Sequence, residues 1–241
     1  MTELILVDFD GRRSEASFGS WPEALSARGR VIPGATDPDL PRTLDAYLKR
    51  IIESEPACTP SVVVGYCASA GIAEELAFAL GRAGERPPAV VAVDPVRMGP
   101  ADFVEACAEA LHALSGGRAA MSLTAADVES DPDQALQRAL RDVTVQAATA
   151  LGVPPEKAAS HEVAALLAER YHRWLRYLNL AMQCRWPAWD NAVIEIDPAD
   201  STETMTWPNP GRVVAHRLPV GRADALGSPV VHRLLTQLLD R

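Results

Sequence analysis

Five short apolar runs punctuate the chain: Leu4–Val7, Ser61–Tyr66, Ala89–Asp94, Ala192–Asp197 and Arg212–Leu218. Each is rich in β-branched residues and lies close to Gly, Asp or Pro. That is the pattern of strands buried on both faces, as in a parallel sheet. Between the first runs the period changes. Leu44, Leu48, Ile51 and Ile52 form one helical stripe, and Ile72, Leu76, Ala79 and Leu80 form another. Alternating strands and amphipathic helices predict an α/β fold with a mainly parallel sheet flanked by helices.

The alternation stops between about residues 99 and 185. This stretch reads as helix only: Ala101–Leu114, Pro132–Leu151 behind an Asp131 cap, and His161–Met182 behind a Ser160 cap. Strands resume at Ala192, and a last helix covers Val230–Leu239. A single domain over residues 1–241 is therefore expected, with a helical lid inserted at 99–185. Helices that merely cover the sheet would leave the same pattern.

Composition narrows the function. The formal net charge is −9 over 241 residues, the only lysines are Lys49 and Lys157, and arginines are not clustered. An acidic chain without a basic face makes a poor nucleic-acid binder. No stretch approaches the roughly 20 apolar residues of a membrane helix, and Met1-Thr2-Glu3 lacks the basic flank of a secretory signal. A cytoplasmic protein is expected. Cys58, Cys67, Cys107 and Cys184 show neither a paired spacing nor a histidine cluster, so neither a zinc site nor a disulfide framework is expected.

Cys67 stands apart. Val62-Val63-Val64-Gly65-Tyr66-Cys67-Ala68-Ser69-Ala70-Gly71 places strand, sharp turn and small-residue helix start in the order a nucleophile elbow requires. A thiol at a helix N-terminus should ionise readily. The competing register puts Ser69 in the nucleophile's place, farther past the strand. A cysteine in a chemically silent turn is the plain alternative.

These residues carry a resemblance. Gly65-Tyr66-Cys67-Ala68-Ser69-Ala70, followed by Ala73, Glu75, Leu76 and Ala77, is similar to the Gly-Tyr-Ser-x-Gly-Gly and Ala-x-Glu-Leu-Ala pattern of α/β-hydrolase-fold thioesterases from nonribosomal-peptide and polyketide assembly lines. Val90–Asp94 with Pro95 resembles that family's acid-bearing strand, and Val213–Leu239 resembles its final strand, loop and helix. The resemblance implies a nucleophile at Cys67 and an acid at Asp94, or alternatively at Asp200 or Asp197. It also implies oxyanion-hole amides at Ala68 and in the first loop at Phe9. The substrate would be an acyl or aminoacyl group on the phosphopantetheine of an acyl or peptidyl carrier protein, with no other cofactor.

Three departures qualify it. Cys67 replaces serine, as in a minority of such domains and in aminoacyl shuttle enzymes, and Ser69 replaces glycine. The family's His-Arg-Val-Pro-Gly-x-His loop reads His216-Arg217-Leu218-Pro219-Val220-Gly221-Arg222, with Arg222 at the histidine position. A guanidinium cannot accept a proton near neutral pH. His216 falls in the last strand and His232 in the last helix, which leaves His161 and His172 of the insertion as alternative bases. Asp8-Phe9-Asp10-Gly11 also resembles the motif of haloacid-dehalogenase-like phosphatases, but Arg12 and Arg13 break the match. Two readings remain: a thioesterase-like acyl transferase or weak hydrolase working through Cys67, or a non-catalytic relative that binds an assembly-line component.

Overall fold

The computed structural model describes residues 3–7, 18, 21–32, 34, 39–54, 60–83, 87–117, 121–188, 190–201, 205–208 and 213–240. Six strands form one sheet: β1 Leu4–Val7, β2 Gly29–Ile32, β3 Val62–Tyr66, β4 Ala89–Val93, β5 Val193–Asp197 and β6 Val213–Arg217. Their order is β2-β1-β3-β4-β5-β6, and every pairing is parallel. The five apolar runs are five of these strands, but β6, at the far edge, has no buried residue, against the expectation of burial on both faces. The sixth, β2, escaped the sequence pattern because it is an edge strand: Val31 is exposed and only Ile32 is buried.

From β1 the chain moves outward to β2, then returns to the other side of β1 to lay down β3. That reversal makes the carboxyl ends of β1 and β3 a topological switch point, the place where open α/β sheets bind ligands. Register places Val7 beside Gly65 and Tyr66 beside Val93, so the turns after β3 and β4 emerge side by side.

One face of the sheet packs Leu4, Leu6, Val62, Val64, Val91, Val93, Ile194 and Ile196 against α9 (Pro229–Leu239) through Val231 and Leu235. Ser228 caps α9, its Oγ accepting the Val230 N–H at 3.3 Å. The remaining helices of this unit are α1 (Glu23–Ser26), α2 (Leu44–Ser54), α3 (Ser69–Ala83) and α8 (Arg222–Ala225).

The chain divides into two compact units. The sheet unit takes in the strands and the helices just named; the second spans Met98–Met182, accompanied by the short stretch ending at Leu40. The second unit is helical: α4 (Pro100–Ser115), α5 (Ala125–Ser130), α6 (Pro132–Ala150), a 3-10 turn Pro155–Ser160 and α7 (Glu162–Met182). Asp131 caps α6 as expected, accepting the Gln134 N–H at 2.9 Å. The cap of α7 differs from expectation. His161 Nδ1 accepts the Ala164 N–H at 3.4 Å, whereas Ser160 Oγ donates to the Lys157 carbonyl. Short α5 was not anticipated, although its reciprocal cap is legible as Thr124 and Asp127: Asp127 N–H donates to Thr124 Oγ1, and Thr124 N–H donates to the Asp127 carboxylate.

Candidate active site

Tyr66 ends β3, and the chain turns sharply at Cys67 before α3 begins at Ser69. Cys67 has φ 54°, a left-handed conformation that side chains with a Cβ adopt only when their surroundings enforce it. Here three hydrogen bonds do so. Its N–H donates to the Val93 carbonyl at 3.0 Å, and its carbonyl accepts from Ala70 at 3.0 Å and Val96 at 3.3 Å.

Gly65 is indispensable to this turn. A Cβ there would lie 2.6 Å from the Ser69 carbonyl oxygen and 2.7 Å from the Ala70 Cα, both rigid backbone atoms. The absent side chain lets α3 begin directly against its strand, with Cys67 at the helix N-terminus. Ala68, the next residue, is buried, and its N–H donates to no group among the described residues. This is the amide that the resemblance assigns to an oxyanion hole. Ser69, the competing nucleophile, is completely buried in the first turn of α3, whereas Cys67 is partly exposed.

Asp94 follows β4 as Cys67 follows β3, and it too is left-handed, with φ 47°. Its N–H donates to the Ile196 carbonyl at 2.8 Å, and its side chain is almost fully buried. Asp94 and Arg222 come together: Arg222 Nε lies 2.8 Å from Asp94 Oδ2, an ion pair rather than an aligned hydrogen bond. Asp200 meets the same residue differently, its Oδ1 accepting the Arg222 backbone N–H at 2.8 Å. Asp200 thereby caps the turn that starts α8, while Asp94 faces the guanidinium. Asp197 ends β5 nearby, and burial, reinforced by the negative charge of Asp94, pushes its carboxyl above the usual range.

The histidines occupy other places. His216 lies in β6, paired in register with Ile196. The His232 ring hydrogen-bonds the Leu226 carbonyl at 2.9 Å and packs edge-on to Trp21. His161 and His172 belong to the helical unit. There His161 caps α7, and His172 Nε2 sits 2.9 Å from the Leu140 carbonyl and 3.0 Å from Thr144 Oγ1. Phe9, the other expected oxyanion contributor, and the Asp8–Gly11 motif lie outside the described residues, as does Cys58.

Of the other described cysteines, Cys107 is buried, while Cys184, like Cys67, is partly exposed. Burial pushes the Cys107 thiol up to about 12 and raises Cys184 well above its ordinary value. Among the described residues no His/Cys/Asp/Glu group is arranged to hold a metal ion, and no helix is long and apolar enough to cross a membrane.

Strand order, elbow and acid turn invite comparison with known structures. The NocB thioesterase domain, solved as a covalent complex with a fluorophosphonate nocardicin G analog, matches 100% of this chain and 92% of its own at 15% identity, with a TM-score of 0.52. RedJ, the thioesterase of the prodiginine biosynthetic pathway in Streptomyces coelicolor, matches 99% of this chain and 86% of its own at 20% identity, with a TM-score of 0.51. This is the α/β-hydrolase fold of the thioesterases. A four-domain nonribosomal peptide synthetase bound to AMP and glycine also aligns with 99% of the chain, at 15% identity and a TM-score of 0.54. The chain spans only 19% of that much longer protein. No protein-family model matches the sequence, and no curated protein aligns with it. In this α/β-hydrolase-fold chain, Arg222, which the sequence resemblance aligns with a histidine, is paired with Asp94.

Proposed function

We propose that this thioesterase-like protein transfers an acyl or aminoacyl group between carrier-bound thiols, or from a thiol to an amine, through a covalent intermediate on Cys67. The observation that carries the reading is the left-handed Cys67 turn at the start of α3, beside an Asp94–Arg222 pair. In the first step the Cys67 thiolate attacks the thioester carbonyl carbon, and the Ala68 N–H takes the developing oxyanion. The C–S bond to the phosphopantetheine arm of an acyl or peptidyl carrier protein then breaks, and its sulfur leaves as thiolate. An acceptor thiol repeats the sequence in reverse and restores Cys67.

Thioester exchange between thiols is nearly thermoneutral and needs little base assistance, because a thiol near its pKa is already nucleophilic. Water is different: its proton must be removed as it attacks, and Arg222 cannot accept it. Arg222 instead supplies positive charge that favours the thiolate, tempered by Asp94. The site favours exchange over hydrolysis. The carrier's pantetheine arm is the only prosthetic group this reading requires.

The test uses a simple acyl N-acetylcysteamine thioester with either a competing thiol or water as acceptor. Acyl-Cys67 should form and discharge to the thiol much faster than to water. Hydrolysis as fast as exchange would show that another base operates. A second reading, a non-catalytic binder of an assembly-line component, draws support from the same ion pair, since Asp94 is already engaged by Arg222. Absence of any acylation would favour it.

A further inference from the structure

Where the chain returns from the helical insertion to the sheet unit, residues 183–187 are held to α2 and α3 by more bonds than a connector needs. The Gln183 side chain accepts the Leu44 N–H at 2.9 Å, at the start of α2, and donates to the Arg42 carbonyl. Glu75 of α3 is buried, and its carboxylate accepts the backbone N–H groups of both Arg185 and, at 3.1 Å, Trp186. The Arg185 guanidinium bridges Asp45 Oδ1 at 2.6 Å and reaches Glu75 Oε2 at 4.0 Å. Trp186 is left-handed, with φ 53°.

The purpose of this anchoring lies at the other end of Trp186. Its ring presses on Gly71, in the first turn of α3 and four residues past Cys67. A Cβ on Gly71 would lie 2.8 Å from Trp186 Cζ2 and 3.1 Å from the Cys184 side chain. Trp207 packs edge-on behind Trp186 at 5.5 Å, and its Nε1 donates to Glu195 at 2.8 Å. The first turn of α3, directly after Cys67 and Ala68, therefore rests on an indole whose residue is held through its backbone N–H by Glu75.

We propose that Glu75 and Trp186 are positioning residues for the nucleophile: they buttress the first turn of α3, and Cys67 reactivity depends on that support. Glu75 makes no contact with reacting atoms. It acts by satisfying two backbone donors of the return segment, which fixes the Trp186 ring against Gly71. The inference rests on Cys67 being the reactive thiol but not on acyl transfer, so alkylation by iodoacetamide tests it separately.

The rate of Cys67 alkylation and its pH profile are measured for wild type, Glu75→Ala, Glu75→Gln and Gly71→Ala. Val143→Ala, in the core of the helical unit, serves as a destabilised control. All are assayed well below their unfolding temperatures. Displacing a reacting group slightly can cost about tenfold or more in rate, so Glu75→Ala and Gly71→Ala should each slow alkylation about tenfold near neutral pH. Glu75→Gln, which keeps an acceptor oxygen, should recover most of the rate, and Val143→Ala should not differ from wild type. The pH profile separates support from charge. Removing a nearby carboxylate would by itself move the alkylation midpoint down, whereas a loosened turn moves it up. Gly71→Ala changes no charge, so it remains decisive if Glu75→Ala fails to fold. Unchanged rates and midpoints in Gly71→Ala and the folded Glu75 variants would overturn the proposal, as would a Val143→Ala rate as low as theirs.

Discussion

The turn after β3 and the loop after β6 supply the two halves of the candidate site, and they are built to different tolerances. At the β3 turn the hydrogen bonds among the described residues run through backbone: Gly65 lies against the Ser69 carbonyl, the Cys67 amide donates to Val93, and the Cys67 carbonyl holds Ala70 and Val96. The β6 loop is anchored by backbone bonds at Leu218 and Val220, but around Arg222 and Arg217 side chains do the holding. Asp200 holds the Arg222 amide, Asp94 holds its guanidinium, and Arg217 Nη2 donates to the Ala199 carbonyl at 2.9 Å and the Ser201 carbonyl at 3.0 Å. A backbone-locked turn can exchange its nucleophile, serine for cysteine, without changing shape. A side-chain-held loop can exchange histidine for arginine by recruiting the neighbouring acid into an ion pair.

The contrast can be broken most dramatically at the loop. Arg222→His puts an imidazole beside Asp94, and general-base assistance is worth about 10²- to 10⁴-fold. Hydrolysis of an acyl thioester should rise by at least about 10²-fold, and adding Cys67→Ala should remove the gain. If wild type already hydrolyses as fast as Arg222→His, another base is operating instead. The next largest effect is thiol selectivity under limiting iodoacetamide. With its thiol at about 12, only about one Cys107 in 10⁴ is ionised at pH 8, and Cys184 is suppressed in the same direction. Peptide mapping should find Cys67 labelled at least about 10²-fold faster than either; preferential labelling of Cys107 or Cys184 would contradict the elbow.

The difference in tolerance predicts a difference in stability. Gly65→Ala drives a methyl into backbone and should cost about 3 kcal/mol by urea unfolding. In Gly221→Ala the new Cβ meets Asp200 Oδ2 at 3.2 Å, the end of a movable side chain, so the cost should stay below about 1 kcal/mol. Equal costs would erase the distinction between the two regions.

The smallest effect concerns His172. Burial, its largest perturbation, holds the ring below its ordinary value. The unfolded chain therefore takes up this proton first as pH falls through about 6.5. Stability is complete above that pH and declines below it, down to the depressed folded value. His172→Gln should flatten this part of the stability profile by a fraction of a kcal/mol. An unchanged profile would show that His172 is not the group responsible.

Much of the sheet was legible because strands buried on both faces are apolar, as β1, β3 and β4 are, and because Val193, Ile194 and Ile196 keep β5 apolar despite its buried Glu195. Strand β2 was not, since an edge strand with one buried residue has no such pattern. Short α5 was missed although Thr124 and Asp127 encode its cap, because six residues are too few to show a helical period. At the site, Gly65, Cys67 and Asp94 were readable as local motifs. The pairing of Asp94 with Arg222, and the separate attachment of Asp200 to the Arg222 backbone, required knowing which ends of the sheet lie together. Glu75 was visible only as part of a helix motif, since its partners at 185 and 186 are more than a hundred residues away.

The central claim is that Cys67 carries the acyl group. Intact-protein mass, recorded after brief mixing with an acyl-loaded carrier protein and followed by peptide mapping, tests it most directly. The account predicts that wild type gains the mass of one acyl group on the peptide containing Cys67, and that Cys67→Ala gains none. No mass gain in wild type, or the same gain in Cys67→Ala, would contradict it.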